Sequence, residues 1–314
     1  MRGIADWCRL QLFFETVQGF LPLLHRPSIY AEFLDPKNGQ QRNYDHLNIP
    51  SAILLNSMFA LSARFSEWNQ CWTTEPKDRG VPFASKAKAL WREHVKEDEE
   101  PSLRLLQSRI LLAYYELTSG PSFQAWQSTG ICCRIAYSLS LHRIDRETST
   151  INGSGDVCEP TWADHEERRR AWWAVFQLDN CISIIACRPF NLDSSNMDVL
   201  LPVSDDDWFS GRRTKSVAIS PKGLSDTWAS LQNCENQDPY AWFLVANELL
   251  RTCQKIFDRN HRSVEELKMI DSALCCFALA LPLSHRLTPS NMVFDEHNYV
   301  EKNWNISTIV LLQS

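Results

Sequence analysis

The chain has 314 residues, of which 44% are hydrophobic and only 10 are glycine, so it holds a sizeable core and favours helices over a turn-rich β fold. Its formal net charge of −6 argues against a stand-alone DNA-binding protein, because affinity for a duplex comes mainly from neutralised phosphates. The cysteines show no disulfide-framework spacing, which indicates a reducing compartment. No apolar run is long enough to span a bilayer, so we expect no membrane partner.

The N-terminal half shows apolar residues at helical spacing, in segments separated by polar turns. Helices are predicted over residues 5–20, 51–68 and 84–99, with a short one ending at Leu34. Two more, over residues 103–117 and 123–141, flank a tight turn that contains Gly120 and Pro121. So short a turn predicts a helical hairpin.

The C-terminal half is predicted to continue in the same way after a polar loop at residues 147–160. The next helix is predicted to be capped by Thr161 or Asp164 and to be buried on nearly all sides from residue 171 to residue 186. Residues 203–225 are predicted to be irregular, and further helices are predicted over 240–258, from a Ser263 capping box to about 281, and from about 304 onwards.

No strand alternation is seen, so the predicted fold class is all-α. We expect a large multi-helix bundle with long polar loops, in which residues 1–314 form a single domain. The last helices are expected to be incomplete at the C-terminus.

The most informative stretch is residues 166–202. It reads Glu-Glu-Arg-Arg-Arg-Ala-Trp-Trp-Ala-Val-Phe-Gln-Leu-Asp over residues 166–179, then Cys-Arg-Pro-Phe over 187–190 and Asp-Val-Leu-Leu-Pro over 198–202. Together with the hairpin segment at 101–142, this order resembles the fungal-specific transcription factor domain. That domain is the helical middle homology region of binuclear zinc-cluster regulators, and the similarity runs from about residue 10 to residue 202.

The resemblance implies a module that regulates RNA polymerase II transcription in the nucleus, and not an enzyme. The family reads DNA with a separate module, in which six cysteines, including two Cys-x-x-Cys pairs, bind two zinc ions. No two cysteines of this chain are separated by two residues, so we expect zinc only in a module outside this chain, and no catalytic, metal-binding or DNA-binding residue within it.

The partners implied by the resemblance are other transcription regulators, a full-length zinc-cluster protein or a second copy in a homodimer. DNA is expected to be contacted only indirectly. A small-molecule effector is also implied.

Six residues of the signature are predicted to have structural roles: Arg169, Trp172, Trp173, Asp179, Arg188 and Pro189. The arginine run at 168–170 is predicted to be a solvated, self-paired helix face. Asp179 lies in an apolar run, where an unpaired charge is costly, so an ion pair with Arg134 or Arg188 is predicted. Pro189 is predicted to end the central helix, with Arg188 bonding the terminal carbonyl groups.

Trp126, Arg134 and Trp242 are candidates for lining a ligand pocket in a tryptophan-rich interior. The favoured interpretation of the tryptophans is ordinary helix packing, because apolar stripes at helical spacing mostly form core. The cysteines likewise resemble small buried hydrophobic residues.

Two alternative functions remain open at this point. The first is a helical magnesium-dependent enzyme acting on isoprenoid diphosphates, which rests only on the three aspartates at 205–207; a solvated acidic loop is the favoured interpretation of that run. The second is a free-standing interaction protein that pairs with a full-length zinc-cluster regulator and modulates it.

Overall fold

A computed structural model describes residues 8–34, 47–66, 75–94, 100–120, 122–146, 161–220, 223–259, 263–289, 291, 293–295 and 298–313. Within these ranges the chain forms twelve helices and no β-strand, apart from one isolated bridge between Leu200 and Ala218. The all-α prediction is confirmed. The predicted loop at 147–160 lies outside the described residues.

The chain folds as two compact units. The first comprises Met1–Leu141 and Arg170–Asn191, and the second comprises His142–Arg169 and Leu192–Ser314. The long helix α7 (Trp162–Ile185) therefore contributes its first turns to the second unit and the remainder to the first.

Six further helices belong to the first unit. They are α1 (residues 8–12), which continues as a π-helical segment at Phe13–Val17, α2 (Arg26–Phe33), α3 (Ile49–Ser62), α4 (Val81–His94), α5 (Leu103–Thr118) and α6 (Phe123–Ser138). Helix α3 packs against both α4 and α5, and α5 packs against α6. The predicted hairpin of α5 and α6 is confirmed.

The second unit is built around one amphipathic helix. Its helices are α8 (Asp205–Ser210), α9 (Leu224–Gln232), α10 (Pro239–Phe257), α11 (Val264–Ala280) and α12 (Tyr299–Gln313). Helix α10 contacts α9, α11 and α12, and it buries a continuous run of side chains from Tyr240 to Leu249. No described helix is long and apolar enough to cross a membrane.

Helix starts follow local side-chain chemistry. An oxygen of the capping side chain accepts a first-turn N–H at Asn48, Ser102, Ser122, Ser204, Asp238 and Ser263. Ser263 and Glu266 form the predicted capping box. Thr161 and Asp164 make a reciprocal pair of the same kind, in which each side chain accepts the other residue's backbone N–H.

The middle of helix α7 is deeply buried. Every residue from 169 to 180 is buried except Gln177, which is half-buried. This burial confirms the prediction for residues 171–180, whereas the predicted burial of residues 181–186 is wrong at Cys181 and Ile185, which are exposed.

The aspartate run at 205–207 does not lie in a loop, and that prediction is wrong. It forms the first turn of α8, where Ser204 caps the helix and the three carboxylates complement the helix dipole. Asp207 is buried and pairs with Arg212, and it also accepts a hydrogen bond from Thr214 Oγ1 at 2.7 Å.

Candidate functional site: the signature network and a cavity

Arg169 is the centre of a buried ion network in the second unit. Its Nε lies 3.1 and 3.0 Å from the two carboxylate oxygens of Asp145, and its Nη1 lies 3.3 Å from Glu166 Oε2. Glu166 is fully buried, and Arg169 is 7% exposed. Burial alone would lower the pKa of Arg169, but bonding to Asp145 and Glu166 raises it above the ordinary value.

The same two acids also bind the backbone of residues 200–203, the segment that leads into α8. Asp145 Oδ2 accepts the N–H of Leu200 at 2.8 Å, and Glu166 Oε1 accepts the N–H of Val203 at 3.0 Å. The network therefore joins the first turns of α7 to this segment. It connects the charged run to Leu200 of the Asp-Val-Leu-Leu-Pro sequence and to Val203, the residue after it.

The prediction that residues 168–170 form a solvated face is wrong for two of the arginines. Only Arg168 is exposed. Arg170 is 1% exposed and donates a hydrogen bond to the carbonyl oxygen of Pro22 at 3.2 Å, within the first unit. Glu166 and Arg169, three residues apart on α7, form an ion pair. The prediction that this charged run pairs with itself is therefore correct for Arg169.

Neutral donors bond the carboxylate of Asp179. Its carboxylate accepts the backbone N–H of Asn191 at 3.0 and 3.1 Å and the Asn191 amide at 2.8 Å. Ser183 Oγ lies 3.4 Å from the same carboxylate. These donors compensate the burial of the charge and fix the turn that follows α7.

Arg188 does not cap α7 with its side chain as predicted. Its guanidinium lies over the ring of Trp126, 4.3 Å from the centroid, and also near Phe123 at 5.6 Å. The backbone closes the helix end instead, because the N–H of Arg188 donates to the carbonyl of Ser183 at 2.9 Å. Pro189 follows the helix end, as predicted, and its carbonyl accepts a hydrogen bond from Ser183 Oγ.

The paired tryptophans of the signature are core residues of the first unit. Trp172 and Trp173 are both fully buried. Trp172 meets Tyr137 edge to face at 5.8 Å, and Trp173 meets Phe176 in the same way at 5.3 Å. Such contacts add to the burial of large apolar surfaces, so these side chains stabilise the fold.

The three candidate pocket residues do not come together in one unit. Trp126 and Arg134 line a cavity of about 410 Å³ in the first unit, whose other walls are mostly polar. Trp242 belongs to the second unit, where it is 1% exposed and packs near Phe277 and His285.

A larger cavity lies in the second unit. It has a volume of about 550 Å³ and is lined by residues of α9, α10 and α11 and of the segments at 194–197 and 219–223. Its apolar walls include Met197, Ile219, Leu224, Trp228, Ile256 and Ile270.

Glu248 of α10 is the buried acid of this cavity. It is 8% exposed, and its Oε1 accepts a hydrogen bond from Ser194 Oγ at 2.8 Å, while its Oε2 has no hydrogen-bond partner among the described residues. Burial raises the pKa of Glu248, although the Ser194 hydroxyl, Arg251 and Lys255 lower it in part. Glu248 was not predicted as a site residue, although it is the sole acid in residues 239–257.

Among the described residues there is no group of three His, Cys, Asp or Glu side chains that could hold a metal ion. The cysteines are less uniform than predicted. Cys132, Cys133 and Cys253 are buried, whereas Cys181, Cys187, Cys275 and Cys276 are exposed. The prediction of small buried hydrophobic residues is therefore right for the first group and wrong for the second.

The comparison with known families decides what kind of chain this is. Residues 10–276 match the fungal-specific transcription factor domain. The chain belongs to this family. The match runs beyond the signature, through α9 and α10 and into α11, so the cavity with Glu248 also lies within the fungal-specific transcription factor domain.

Curated relatives of this domain carry the names of transcription factors. The Zn(2)-C6 fungal-type transcription factor FTF1c of Fusarium oxysporum f. sp. lycopersici is 28% identical over 197 residues, which are 62% of this chain and 20% of that protein. The transcription factor tazR of Aspergillus terreus is 27% identical over 153 residues, covering 49% and 23%. The tropolone cluster transcription factor tropK of Talaromyces stipitatus is 26% identical over 199 residues, covering 63% and 32%.

The alignments thus cover between 20% and 32% of these relatives' own length. The names point to transcription factors and not to enzymes, and they give no support to the isoprenoid enzyme alternative. No solved structure matches the chain.

Proposed function

We propose that this chain is the regulatory region of a fungal transcription factor, which controls RNA polymerase II transcription in the nucleus. DNA is read by a zinc-cluster module or a partner outside the chain. The observation that carries the proposal is the family match over residues 10–276. Zinc belongs to that module, and the domain itself works without a cofactor.

The bonding of the signature arginines agrees with a role other than DNA binding. Arg169 is engaged by two acids and Arg170 by a backbone carbonyl, so neither is available to neutralise a phosphate. The net charge of −6 also argues against direct contact between this chain and the DNA phosphates. In this proposal the domain acts on other regulators, and DNA is contacted through them.

Regulation requires that the domain exist in at least two states that differ in their effect on transcription. A ligand or partner that binds one state more tightly shifts the population towards it. Other transcription regulators or a second copy of the chain are candidate partners. The alternative of a free-standing protein that modulates a full-length regulator stays a prediction.

The test is a reporter assay in a fungal cell. The chain is fused between a heterologous zinc-cluster module and an activation segment, and transcription is compared with that of the same fusion without the chain. We expect the chain to change reporter output several-fold, in either direction. Equal output at equal protein level and equal promoter occupancy would contradict the proposal.

The free-standing alternative makes a different prediction. The unfused chain, co-expressed with a full-length zinc-cluster regulator, should co-purify with it and change its reporter output. A chain that acts only when it is fused in cis argues for the regulatory region and against the free-standing protein.

A further inference from the structure

We propose that the cavity between α9, α10 and α11 binds a neutral small molecule that has an apolar body and one hydroxyl or N–H group, and that this group donates a hydrogen bond to Glu248. The inference deepens the proposed function and rests on it in one respect: the bound molecule acts as the effector of the regulatory domain.

The size and lining of the cavity suit a small organic molecule. Its volume of about 550 Å³ falls within the range of about 300–1,000 Å³ that is typical of small-molecule sites. Apolar side chains from three helices and two loop segments form most of the walls. Trp228, half-buried on α9, adds a flat aromatic surface on which a ring can stack.

Glu248 supplies the polar contact that fixes orientation. Its Oε1 is satisfied by Ser194, whereas Oε2 is buried and has no hydrogen-bond partner within the described chain. A buried acceptor without a donor costs about 1–3 kcal/mol, and more if it is charged. A ligand hydroxyl or N–H group at Oε2 recovers that energy, so the site discriminates in favour of molecules that carry a donor.

The charges around Glu248 disfavour an ionic ligand. Lys255 also lines the cavity, and its Nζ lies 3.3 Å from the Ser194 hydroxyl that bonds Glu248. Glu266 lines the cavity too, and it is paired with Arg259. An ammonium ligand would face Lys255 and a carboxylate ligand would face both glutamates, and the mostly apolar walls would desolvate either charge. A neutral donor such as a phenol, an alcohol or an indole N–H avoids both repulsions.

The test uses matched probe pairs that differ only in the donor: 2-naphthol with 2-methoxynaphthalene, and indole with 1-methylindole. Dissociation constants are measured on the purified chain by ligand-observed NMR or calorimetry. We expect the donor probe of each pair to bind about tenfold more tightly, as one hydrogen bond to a buried acceptor provides. Equal binding within both pairs, or no binding by any of the four probes, would overturn the proposal.

Glu248→Gln is the decisive variant. The glutamine carbonyl can still accept the Ser194 hydrogen bond, and its amide N–H then replaces Oε2 towards the cavity. The preference for 2-naphthol over 2-methoxynaphthalene should disappear or reverse. An unchanged preference means that Glu248 does not contact the donor, and it overturns the inference.

A second variant tests the location without relying on Glu248. Ala273 of α11 lines the cavity, and the ring of Ala273→Phe should obstruct it and weaken both members of each pair at least tenfold. Ala229→Phe, on the exposed side of α9, is the matched control and should bind all probes as the unaltered chain does. Equal affinities in the two variants would place the probes elsewhere and contradict the assignment.

The two proposals fail in different ways. Probe binding that depends on Glu248, together with a reporter that ignores the chain, leaves the cavity assignment standing and removes the regulatory function. A reporter that responds to the chain, together with probes that ignore Glu248, removes the ligand inference alone.

Discussion

Arg169 shows how a charged signature residue can be a core residue. It is buried with Asp145 and Glu166, and these acids in turn satisfy the N–H groups of Leu200 and Val203. The sequence showed that these charges lie within one turn of α7, but it did not show their partners. Asp145 lies 24 residues from Arg169 in the chain, and the N–H groups of Leu200 and Val203 lie farther still. Local spacing predicts helix faces, whereas burial is decided by such distant contacts.

The first prediction concerns this network. Arg169→Met leaves two carboxylates without their cation and should lower the free energy of unfolding by about 3–5 kcal/mol. Arg168→Met, one residue earlier and exposed, should change it by no more than about 0.5 kcal/mol. Urea unfolding monitored by circular dichroism measures both, and equal effects of the two variants would contradict the structural role of Arg169.

The second prediction concerns His285, which is 5% exposed and packs near Trp242. Burial, with a contribution from Lys302, lowers the pKa of His285 to about 4. The unfolded chain takes up this proton near pH 6.5 and the folded chain only near pH 4, so stability is present above pH 6.5 and is lost as the pH falls.

Between pH 7 and pH 5 this one group should cost the folded chain about 2 kcal/mol. His285→Phe removes the titration and keeps an aromatic ring, so the variant should lose about that much less stability over the same interval. Unfolding midpoints at several pH values provide the measurement. Parallel pH profiles for the two proteins would show that His285 is not buried in its neutral form.

Glu248 is a residue of the candidate site that was not predicted from the sequence. An acid within an apolar helix is visible in the sequence, but helical periodicity alone cannot show whether its carboxylate reaches solvent or a cavity. Trp126 and Arg134 line a cavity of the first unit. That cavity differs from the one next to Glu248, and Trp242 lies in the other unit.

At the scale of helices, the starts of α7 and α11 were predicted because their caps are local. The Ser263–Glu266 box and the Thr161–Asp164 pair need only a few neighbouring residues to form. Helices α8 and α9 were not predicted. Helix α8 was missed because its six residues are too few for a periodic apolar pattern, and because Pro202 and the acidic run indicated a loop. The Ser204 cap is the local signal that could have identified it.

Helix packing gives the third prediction. A Cβ atom on Gly80, just before α4, would lie 2.0 Å from the backbone oxygen of Ala60 in α3. Gly80→Ala should therefore force the two helices apart and destabilise the protein by about 1–3 kcal/mol.

Gly130 provides the matched control, since it lies within α6 and its nearest neighbour to an added Cβ is an Arg134 side-chain atom at 3.6 Å. Gly130→Ala should stabilise the protein by up to about 1 kcal/mol through helix propensity. The thermal unfolding midpoint should move in opposite directions for the two variants. A shift of both midpoints in the same direction would contradict the close approach of Gly80 to Ala60 of α3.

At the scale of the whole molecule, the sequence predicted the all-α class and the family correctly, because sparse glycine, helical spacing and an ordered set of motifs are all readable along the chain. The division into two compact units was not visible. One boundary between the units falls between Arg169 and Arg170, inside the continuous helix α7. No loop or linker therefore marks it in the sequence.

The central claim is that the folded domain regulates transcription, and the matched arginine variants test it most directly. In the reporter fusion with a zinc-cluster module, the unaltered chain and Arg168→Met should change transcription to the same degree, whereas Arg169→Met should lose most of that effect at equal protein level. If the Arg169→Met fusion regulates the reporter as the unaltered chain does while its domain is unfolded, the fold described for this chain is not what controls transcription.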